Sequence, residues 1–144
     1  MKIFMMSLMM FTLLSAAQID EFAQSVQYER SYAKALSMAK KQNKLLMLLV
    51  VADYCPWCKK FERKTLSSDA IKKRVQMEFI AVAIDKYRDK GAYPKKFYSK
   101  AIPTVYFVDP KNQEAILTSY GYLKKKEFLN QLDKAQKIYT EKKR

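Results

Sequence analysis

The chain contains two cysteines, Cys55 and Cys58, separated only by Pro56 and Trp57. Two sulfurs at this spacing meet across one helical turn, so one can attack a disulfide and the second can resolve the mixed disulfide that results. Pro56 favours the first position of a helix, because its φ is suitable and it has no N–H to satisfy. Cys55 is then expected at a helix N-terminus, where free N–H groups and the helix dipole favour a thiolate. The spacing predicts a redox-active pair.

A cysteine pair can also serve as part of a metal site or as a structural bridge. A structural zinc site needs about four protein ligands, and the chain has two cysteines and no histidine. A purely structural bridge that encloses two residues would remove very little chain entropy from the unfolded state. We therefore expect no metal at Cys55 and Cys58 and interpret them as a redox pair.

The element that must position this pair is the apolar run directly before it. Residues 45–52 are unbroken apolar side chains, a run too short to cross a membrane. Such a run followed by turn residues predicts a strand buried on both faces. Residues 56–66 then predict a helix, with Phe61 facing inward. The pair is expected where a rigid buried strand meets that helix.

Strands and helices alternate along the rest of the chain. Apolar periodicity predicts further strands at 79–84, 102–108 and 115–120, and further helices at 29–43, 70–75, 95–100 and 124–140. Residues 18–27 have a weak pattern that predicts a short edge strand or an arm. Strands joined by a helix are expected to be parallel, and the last two strands antiparallel. The predicted fold class is α/β, a mixed four- to five-stranded sheet with helices on both faces.

The N-terminus has the order of a secretory signal peptide. Lys2 precedes an apolar stretch at 3–14, which is followed by small residues up to Ala17. We expect cleavage after Ala17, which leaves residues 18–144 as one domain and predicts a periplasmic or secreted protein. The alternative is an uncleaved anchor, but the apolar stretch is shorter than the roughly 20 residues that a spanning helix needs.

The chain is strongly basic, with 28 Lys and Arg against 14 Asp and Glu and a formal charge of +14 at pH 7. Nucleic-acid binding is one interpretation of such a charge. Predicted export and the absence of a recognised nucleic-acid motif argue against it, and the basic residues are spread along the chain. We therefore expect a solvated lysine-rich surface, with attraction to acidic partners or anionic lipids as the alternative.

The order of elements, with C-x-x-C after the first buried strand and Ala101-Ile102-Pro103-Thr104 before a later one, resembles the thioredoxin-like family. The resemblance covers about residues 29–140. It is strongest to exported thioredoxin-like domains of the thiol:disulfide interchange type. These share the Ala-Asp-aromatic-Cys-x-x-Cys-Lys pattern, here residues 52–59, and a Gly-aromatic step, here residues 121–122.

The resemblance implies roles for individual residues. Cys55 would be the attacking cysteine and Cys58 the resolving one, and the Ile102–Pro103 peptide bond would be cis beside the sulfurs. The backbone there would pair with an extended substrate as an added strand. The implied substrate-contacting residues are Pro56, Trp57, Ile102, Pro103 and Thr104. An ordinary proline at a strand entry is the alternative for Pro103.

Two departures from the family pattern bear on the chemistry. Many thioredoxins carry a buried acid six residues before the first cysteine, where this chain has Leu49, and a nearby lysine, where it has Ala81. The proton of Cys58 would then pass to water, to the substrate, or to Asp53 or Glu62. The second departure is Trp57, which stands where strong oxidants of the superfamily often have a histidine, and which argues against a strong oxidase.

The resulting hypothesis is an exported thiol:disulfide oxidoreductase that reduces or exchanges disulfides. It would act as a monomer on protein thiols and disulfides, without a bound cofactor, and a membrane redox partner would reset it. A disulfide oxidase or isomerase is the alternative within enzymes. A thioredoxin-fold binding module that docks partners without turnover is the alternative from another class.

Overall fold

The computed structural model describes residues 17–144, so the predicted signal peptide at 1–17 lies almost wholly outside the described residues. The helices are α1 (Gln18–Val26), α2 (Tyr32–Gln42), α3 (Pro56–Phe61), α4 (Asp69–Glu78) and α5 (Lys125–Lys142). The strands are β1 (Leu45–Val51), β2 (Phe79–Asp85), β3 (Thr104–Asp109) and β4 (Glu114–Tyr120). A π-helical turn covers Glu62–Leu66 and a 3₁₀ turn covers Lys95–Phe97.

The four strands form one mixed sheet in the order β2-β1-β3-β4. β2 is parallel to β1, whereas β3 is antiparallel to β1 and to β4. The expectation that a helical connection makes strands parallel is thus correct for β1 and β2 and wrong for β3. The connection from β2 to β3 contains only one short turn of helix, and the chain re-enters the sheet at the end that it left. The C-terminal ends of β1, β2 and β4 and the N-terminal end of β3 therefore lie at the same end of the sheet.

The strand β1 separates two apolar cores, because alternate side chains of a strand point to opposite faces. Its side chains Leu45, Met47, Leu49 and Val51 pack with residues of α1, α3, α4 and α5 on one face. Leu46, Leu48 and Val50 pack with residues of α2 and the 3₁₀ turn on the other face. All seven residues of β1 are buried, as the continuous apolar run predicts. The pair of cysteines thus follows the most enclosed strand of the sheet.

The helix α1 replaces the edge strand or arm that was expected for residues 18–27, and this expectation is wrong. Its buried side chains are Ile19, Phe22, Ala23 and Val26. They recur at i, i+3, i+4 and i+7, the stripe of an amphipathic helix, so the signal was present in the sequence. The N-cap is Ala17, whose side chain accepts no hydrogen bond. The missing cap removes the start signal that usually marks a helix.

The edge of β2 is covered by the chain that leads into α2. Glu29 forms an isolated parallel bridge with Val82. The Arg30 guanidinium then donates hydrogen bonds to the Ala83 carbonyl, to Asp89 and, at 2.7 Å from Nε, to Asp20. One side chain thereby joins α1, the edge strand and the loop after it.

The helix predicted over 56–66 begins at Pro56 but changes its winding at Glu62. Residues 62–66 form a π-helical turn, and α4 starts afresh at Asp69. The Ser68 side chain does not cap α4, and its hydroxyl donates instead to the Thr65 carbonyl at 2.7 Å. Within residues 17–144, no helix is long and apolar enough to cross a membrane.

Candidate active site at the start of α3

Cys55 and Cys58 form a disulfide at the junction of β1 and α3, with their Cα atoms 5.2 Å apart. Pro56 occupies the first turn of α3, and Cys55 is its N-cap. The backbone N–H of Cys58 points to Cys55 Sγ at 3.1 Å. This is the donor that would stabilise a Cys55 thiolate after reduction. Cys55 is 8% exposed and Cys58 is 0% exposed, so the two sulfurs are unequal in their access to a partner.

The segment before β3 forms the opposite wall of the site. The Ile102–Pro103 peptide bond is cis, and the Ile102 carbonyl oxygen lies 3.9 Å from Cys55 Sγ. The Pro103 carbonyl accepts a hydrogen bond from the Gly121 N–H at 2.8 Å. The Pro103 carbonyl therefore already has a hydrogen-bond partner within the protein.

Two of the predicted substrate-contacting residues are enclosed. Pro103 is buried, and Thr104 is 0% exposed. The Thr104 hydroxyl donates to the Ala101 carbonyl at 2.7 Å and lies 3.1 Å from Ser99 Oγ. These contacts give the Thr104 side chain a role in holding the loop at the start of β3, and they leave it no surface for a substrate. Pro56, Trp57 and Ile102 have access to solvent.

A groove of about 390 Å³ lies beside the disulfide and is lined by Trp57, Ile102, Gly121 and Tyr122. We call it the Trp57–Tyr122 groove. Trp57 is 57% exposed although it is a large apolar side chain. Exposed apolar residues that gather in a groove mark a binding surface more often than a scattered residue does. The arrangement can hold the extended chain of another molecule next to Cys55.

Tyr122 belongs to this site, although the sequence marks it only as the aromatic residue of the Gly-aromatic step. Its ring lies 5.9 Å from that of Trp57 and meets the buried Phe61 ring edge-on at 6.4 Å. Phe61 in turn packs edge-on against Phe128 of α5 at 5.2 Å. Gly121 has a φ of +78°, a backbone conformation that other residues rarely adopt. The turn at Gly121 thus brings Tyr122 from the end of β4 back onto α3.

A buried carboxyl group lies one helical turn beyond Cys58. Glu62 is 6% exposed, and its backbone N–H donates to the Cys58 carbonyl. One carboxylate oxygen is 3.4 Å from Lys59 Nζ, whereas the other is buried without a hydrogen-bond partner among the described residues. Burial raises the pKa of Glu62, Lys59 opposes this effect, and the negative charge of Asp53 adds to it. Such a carboxyl group holds a proton more readily than an exposed glutamate does.

The two positions where the family often has a buried ion pair are apolar in the structure. Leu49 is 0% exposed and Ala81 is 7% exposed, and both pack in the core on the α5 side of the sheet. Leu49 pairs in register with Ala83 on β2, and Met47 pairs with Ala81. No charge is left without a partner at these positions, which avoids the large cost of a lone buried charge.

A second groove lies on the other side of Ile102 and has a volume of about 330 Å³. Its lining residues are Ala52, Asp53, Tyr54, Asp85, Tyr87, Arg88 and Ile102. Tyr54 is fully exposed and Tyr87 is 68% exposed. Ile102 lines both grooves, so a chain that crosses Ile102 beside Cys55 would reach both of them. Within residues 17–144, no three His, Cys, Asp or Glu side chains are grouped as metal ligands would be.

A four-stranded mixed sheet with a Cys-x-x-Cys pair at the start of a helix, facing an X-Pro segment before an antiparallel strand, defines a thioredoxin-fold protein. Residues 32–136 match the sequence profile of a family described as a thioredoxin-like domain. The chain belongs to this thioredoxin-like family of thiol:disulfide oxidoreductases. The predicted family and fold class are confirmed.

Individual relatives agree with this assignment. The chain is 29% identical over 96 residues to the thiol:disulfide interchange protein DsbD of Actinobacillus pleuropneumoniae, a match that covers 64% of this chain and 16% of that protein. The DsbD protein of Yersinia pestis is also 29% identical, over 98 residues, with 66% of this chain and 16% of that protein covered. The match therefore spans only about a sixth of the length of these relatives.

Solved structures share the fold. A thioredoxin from Thermus thermophilus superimposes with a TM-score of 0.66 at 21% identity, covering 74% of this chain and 85% of that one. The C-terminal domain of DsbD from Neisseria meningitidis, in the oxidised form, gives a TM-score of 0.62 at 21% identity. That match covers 74% of this chain and 98% of the domain. At these identities the likeness shows the fold alone.

Proposed function

We propose that this protein is an exported thiol:disulfide oxidoreductase that reduces or exchanges disulfides in other proteins. The observation that carries the proposal is the inequality of the two cysteines: Cys55 keeps a small exposed fraction of 8%, whereas Cys58 is fully buried. Cys55 Sγ also lies 3.9 Å from the carbonyl oxygen of Ile102, a residue that lines the groove. A substrate can meet Cys55, and only the protein itself can bring Cys58 into the reaction. The similarity to disulfide interchange proteins supports the same function.

The reaction proceeds in two exchanges. In the dithiol form, the Cys55 thiolate attacks one sulfur of a substrate disulfide, the substrate S–S bond breaks, and the departing thiolate takes up a proton. The Cys58 thiol then loses its proton and attacks Cys55 Sγ, which forms the Cys55–Cys58 disulfide and releases the second substrate thiolate. Two electrons pass from the protein to the substrate. A dithiol donor must return them, and we assign this role to a membrane redox partner.

Glu62 is the candidate acceptor for the Cys58 proton. It is buried one helical turn from Cys58, and burial raises its pKa. Asp53, the other candidate from the sequence, is 28% exposed at its side chain and lies 3.4 Å from Arg88. Each of the two carboxylates has one buried oxygen without a partner among the described residues. The deeper burial of Glu62, whose side chain is 7% exposed, makes it the better placed of the two to take up a proton.

Ile102 is the backbone contact that we propose for an extended substrate. Its carbonyl lies next to Cys55 Sγ, and no group in residues 17–144 accepts a hydrogen bond from its N–H. A substrate strand can pair with these groups while its side chains enter the two grooves beside Ile102. Pro56 and Trp57 border the same surface, whereas Pro103 and Thr104 support the loop from within.

The signal-like sequence at 1–17 supports export to the periplasm or outside the cell, where disulfides form readily. In this setting the dithiol form depends on a partner that supplies electrons. The proposal includes a monomeric protein that needs no cofactor and binds no nucleic acid.

Trapping the mixed disulfide tests the proposed reaction. In a Cys58→Ser variant the resolving sulfur is absent, so we expect covalent adducts through Cys55 when the reduced protein meets a disulfide-bonded protein such as insulin. Dithiothreitol should cleave the mixed disulfide of these adducts and release the free protein. The matched Cys55→Ser variant, which keeps only the enclosed sulfur, should form none. A binding module without turnover would give no adduct with either variant and would contradict the proposal.

A redox titration of the wild type determines the direction of electron flow. Trp57 is the only tryptophan of the chain and lies beside the disulfide, so its fluorescence should report the redox state. Thioredoxin has a potential near about −270 mV, and a strong oxidant of the superfamily has one near about −120 mV. We expect a value at the low end. A value at the high end would favour the alternative of a disulfide oxidase or isomerase.

A further inference from the structure

The Trp57–Tyr122 groove carries a fixed positive charge at its border. Lys60 Nζ lies 4.9 Å from the ring centroid of Trp57 and 4.8 Å from that of Tyr122. Both distances fall within the range of cation–π attraction. The two rings also line the groove, so the ammonium group is held against two of the four residues that a bound chain would touch.

The charge of Lys60 is not neutralised within the protein. Lys60 is exposed, and no carboxylate of residues 17–144 lies within ion-pair distance of its ammonium group. The preceding residue, Lys59, differs in this respect, because it pairs with Glu62. The two rings restrict the conformations of the Lys60 side chain, so part of its conformational entropy is lost before any acidic partner binds. Lys60 is therefore ready to meet an acidic group that arrives with another molecule.

The neighbouring start of α5 is basic as well. Lys124 is the N-cap of α5, and Lys125 and Lys126 follow it, all three exposed. Positive charge at a helix N-terminus opposes the helix dipole, so these residues are not explained by the stability of α5. They begin two residues after Tyr122, so they add positive charge to the chain that leaves the groove.

We propose that Lys60 is a specificity-determining residue, which selects substrate disulfides whose reactive cysteine has an acidic side chain next to it. The inference rests on the proposed function and names the substrate class of that site. An extended chain that places its cysteine over Cys55 lays a neighbouring side chain in the Trp57–Tyr122 groove. A Glu or Asp side chain there meets the Lys60 ammonium, whereas a Lys side chain meets like charge.

The test uses short peptides joined by a disulfide, labelled with a fluorophore and a quencher. Glu, Gln or Lys occupies the position on either side of the cysteine, and the reduced protein is supplied in catalytic amounts with dithiothreitol. We expect cleavage of the Glu peptide to be roughly threefold to fivefold faster than that of the Gln peptide, the effect of one exposed ion pair. The ratio should fall as salt is added, because exposed charges are screened.

Variants at one position identify the charge responsible. Lys60→Gln should bring the Glu/Gln ratio to about one, and Lys60→Arg should restore it, because Arg keeps both the charge and the contact with the rings. The matched control is Lys137→Gln, which removes the same charge from an exposed position in the C-terminal part of α5. It should leave the ratio as in the wild type.

A binding measurement separates this inference from the proposed function. Peptides with Ser in place of Cys are titrated into the oxidised protein, and Trp57 fluorescence reports their occupancy of the groove. A preference for Glu that disappears in Lys60→Gln supports the inference even if no peptide is cleaved, and in that case the proposed function fails. The inference would be overturned if the wild type and Lys60→Gln showed the same Glu/Gln ratio of cleavage rates and of affinities. The proposed function would then remain intact, because the peptides are still cleaved.

Discussion

At the scale of single residues, Glu62 is a buried carboxyl group close to the disulfide in the chain. Its carboxyl group is buried, and a single lysine at 3.4 Å offsets part of the cost of ionising it. The sequence placed Glu62 among the possible proton acceptors, but it contains no sign that the side chain is buried. Glu62 begins the π-helical turn, which contacts a residue far away in the chain through Thr65.

We predict that Glu62→Gln slows the resolving step by roughly a hundredfold at neutral pH, the usual contribution of a positioned base. Resolution can be followed by the release of substrate from a preformed mixed disulfide with Cys55. The rate of the first attack should change little, because the Cys58 N–H and the helix N-terminus serve Cys55. Glu141→Gln, at an exposed position near the end of α5, is the matched control. An unchanged rate of release would exclude Glu62 as the acceptor.

The same substitution should alter the pH dependence of stability. Burial raises the pKa of Glu62 above its value in the unfolded chain, so the folded protein binds the proton more tightly. The contribution of Glu62 to the free energy of unfolding is therefore fully present below the pKa of a glutamate in the unfolded chain. It is lost as the pH rises through the raised pKa of Glu62 in the folded protein. Glu62→Gln should melt at a higher temperature than the wild type at pH 7, with the gain disappearing near pH 4. A gain that persists at low pH would contradict this assignment.

At the scale of elements, the π-helical turn is tied to the groove by one hydrogen bond. Thr65 is 0% exposed, and its hydroxyl donates to the Leu123 carbonyl at 2.6 Å. Leu123 follows Tyr122, so this bond fixes the segment that brings the Tyr122 ring to Trp57. The sequence predicts a helix through this region from periodicity alone. It could not predict the wider turn, because the partner of Thr65 lies 58 residues further along the chain.

We predict that Thr65→Val destabilises the protein by about 1–2 kcal/mol, because the Leu123 carbonyl loses its donor while the size of the side chain is kept. The fluorescence of Trp57 should change at the same time, since Tyr122 is held less firmly. Urea unfolding and emission spectra measure the two effects. Thr140→Val, an exposed position on α5, should alter neither. If the variant is destabilised by this amount but the emission of its native state does not change, the hydrogen bond of Thr65 does not hold Tyr122 in the groove.

At the scale of the whole molecule, the sequence predicts the site better than the path of the chain. The buried strand before Cys55, the helix after it and the X-Pro segment all follow from local signals. The antiparallel direction of β3 does not, because it depends on which end of the sheet the loop after β2 returns to. The clamp of Lys60 between two rings also escapes prediction, because Trp57 and Tyr122 come from segments that meet only in the folded protein.

The helix α1 lies before the family match at residues 32–136, yet it is part of the core. Phe22 packs edge-on against Tyr28 at 5.6 Å. We predict that Phe22→Ala lowers the free energy of unfolding by about 3 kcal/mol, the cost of removing a large buried side chain. The exposed Gln24→Ala on the same helix should change it by less than about 0.5 kcal/mol. Equal urea midpoints for the two variants would show that α1 is a detachable addition.

The guanidinium of Arg30 has a consequence for the order in which the molecule opens. Because it joins Asp20, the Ala83 carbonyl and Asp89, it connects α1, the strand β2 and the loop after β2. Local opening is therefore expected to spread as one unit across the edge of the sheet. Amide hydrogens in α1, at the end of β2 and in the loop after it should exchange with solvent at a common rate, since none of the three can be released while the other two stay closed.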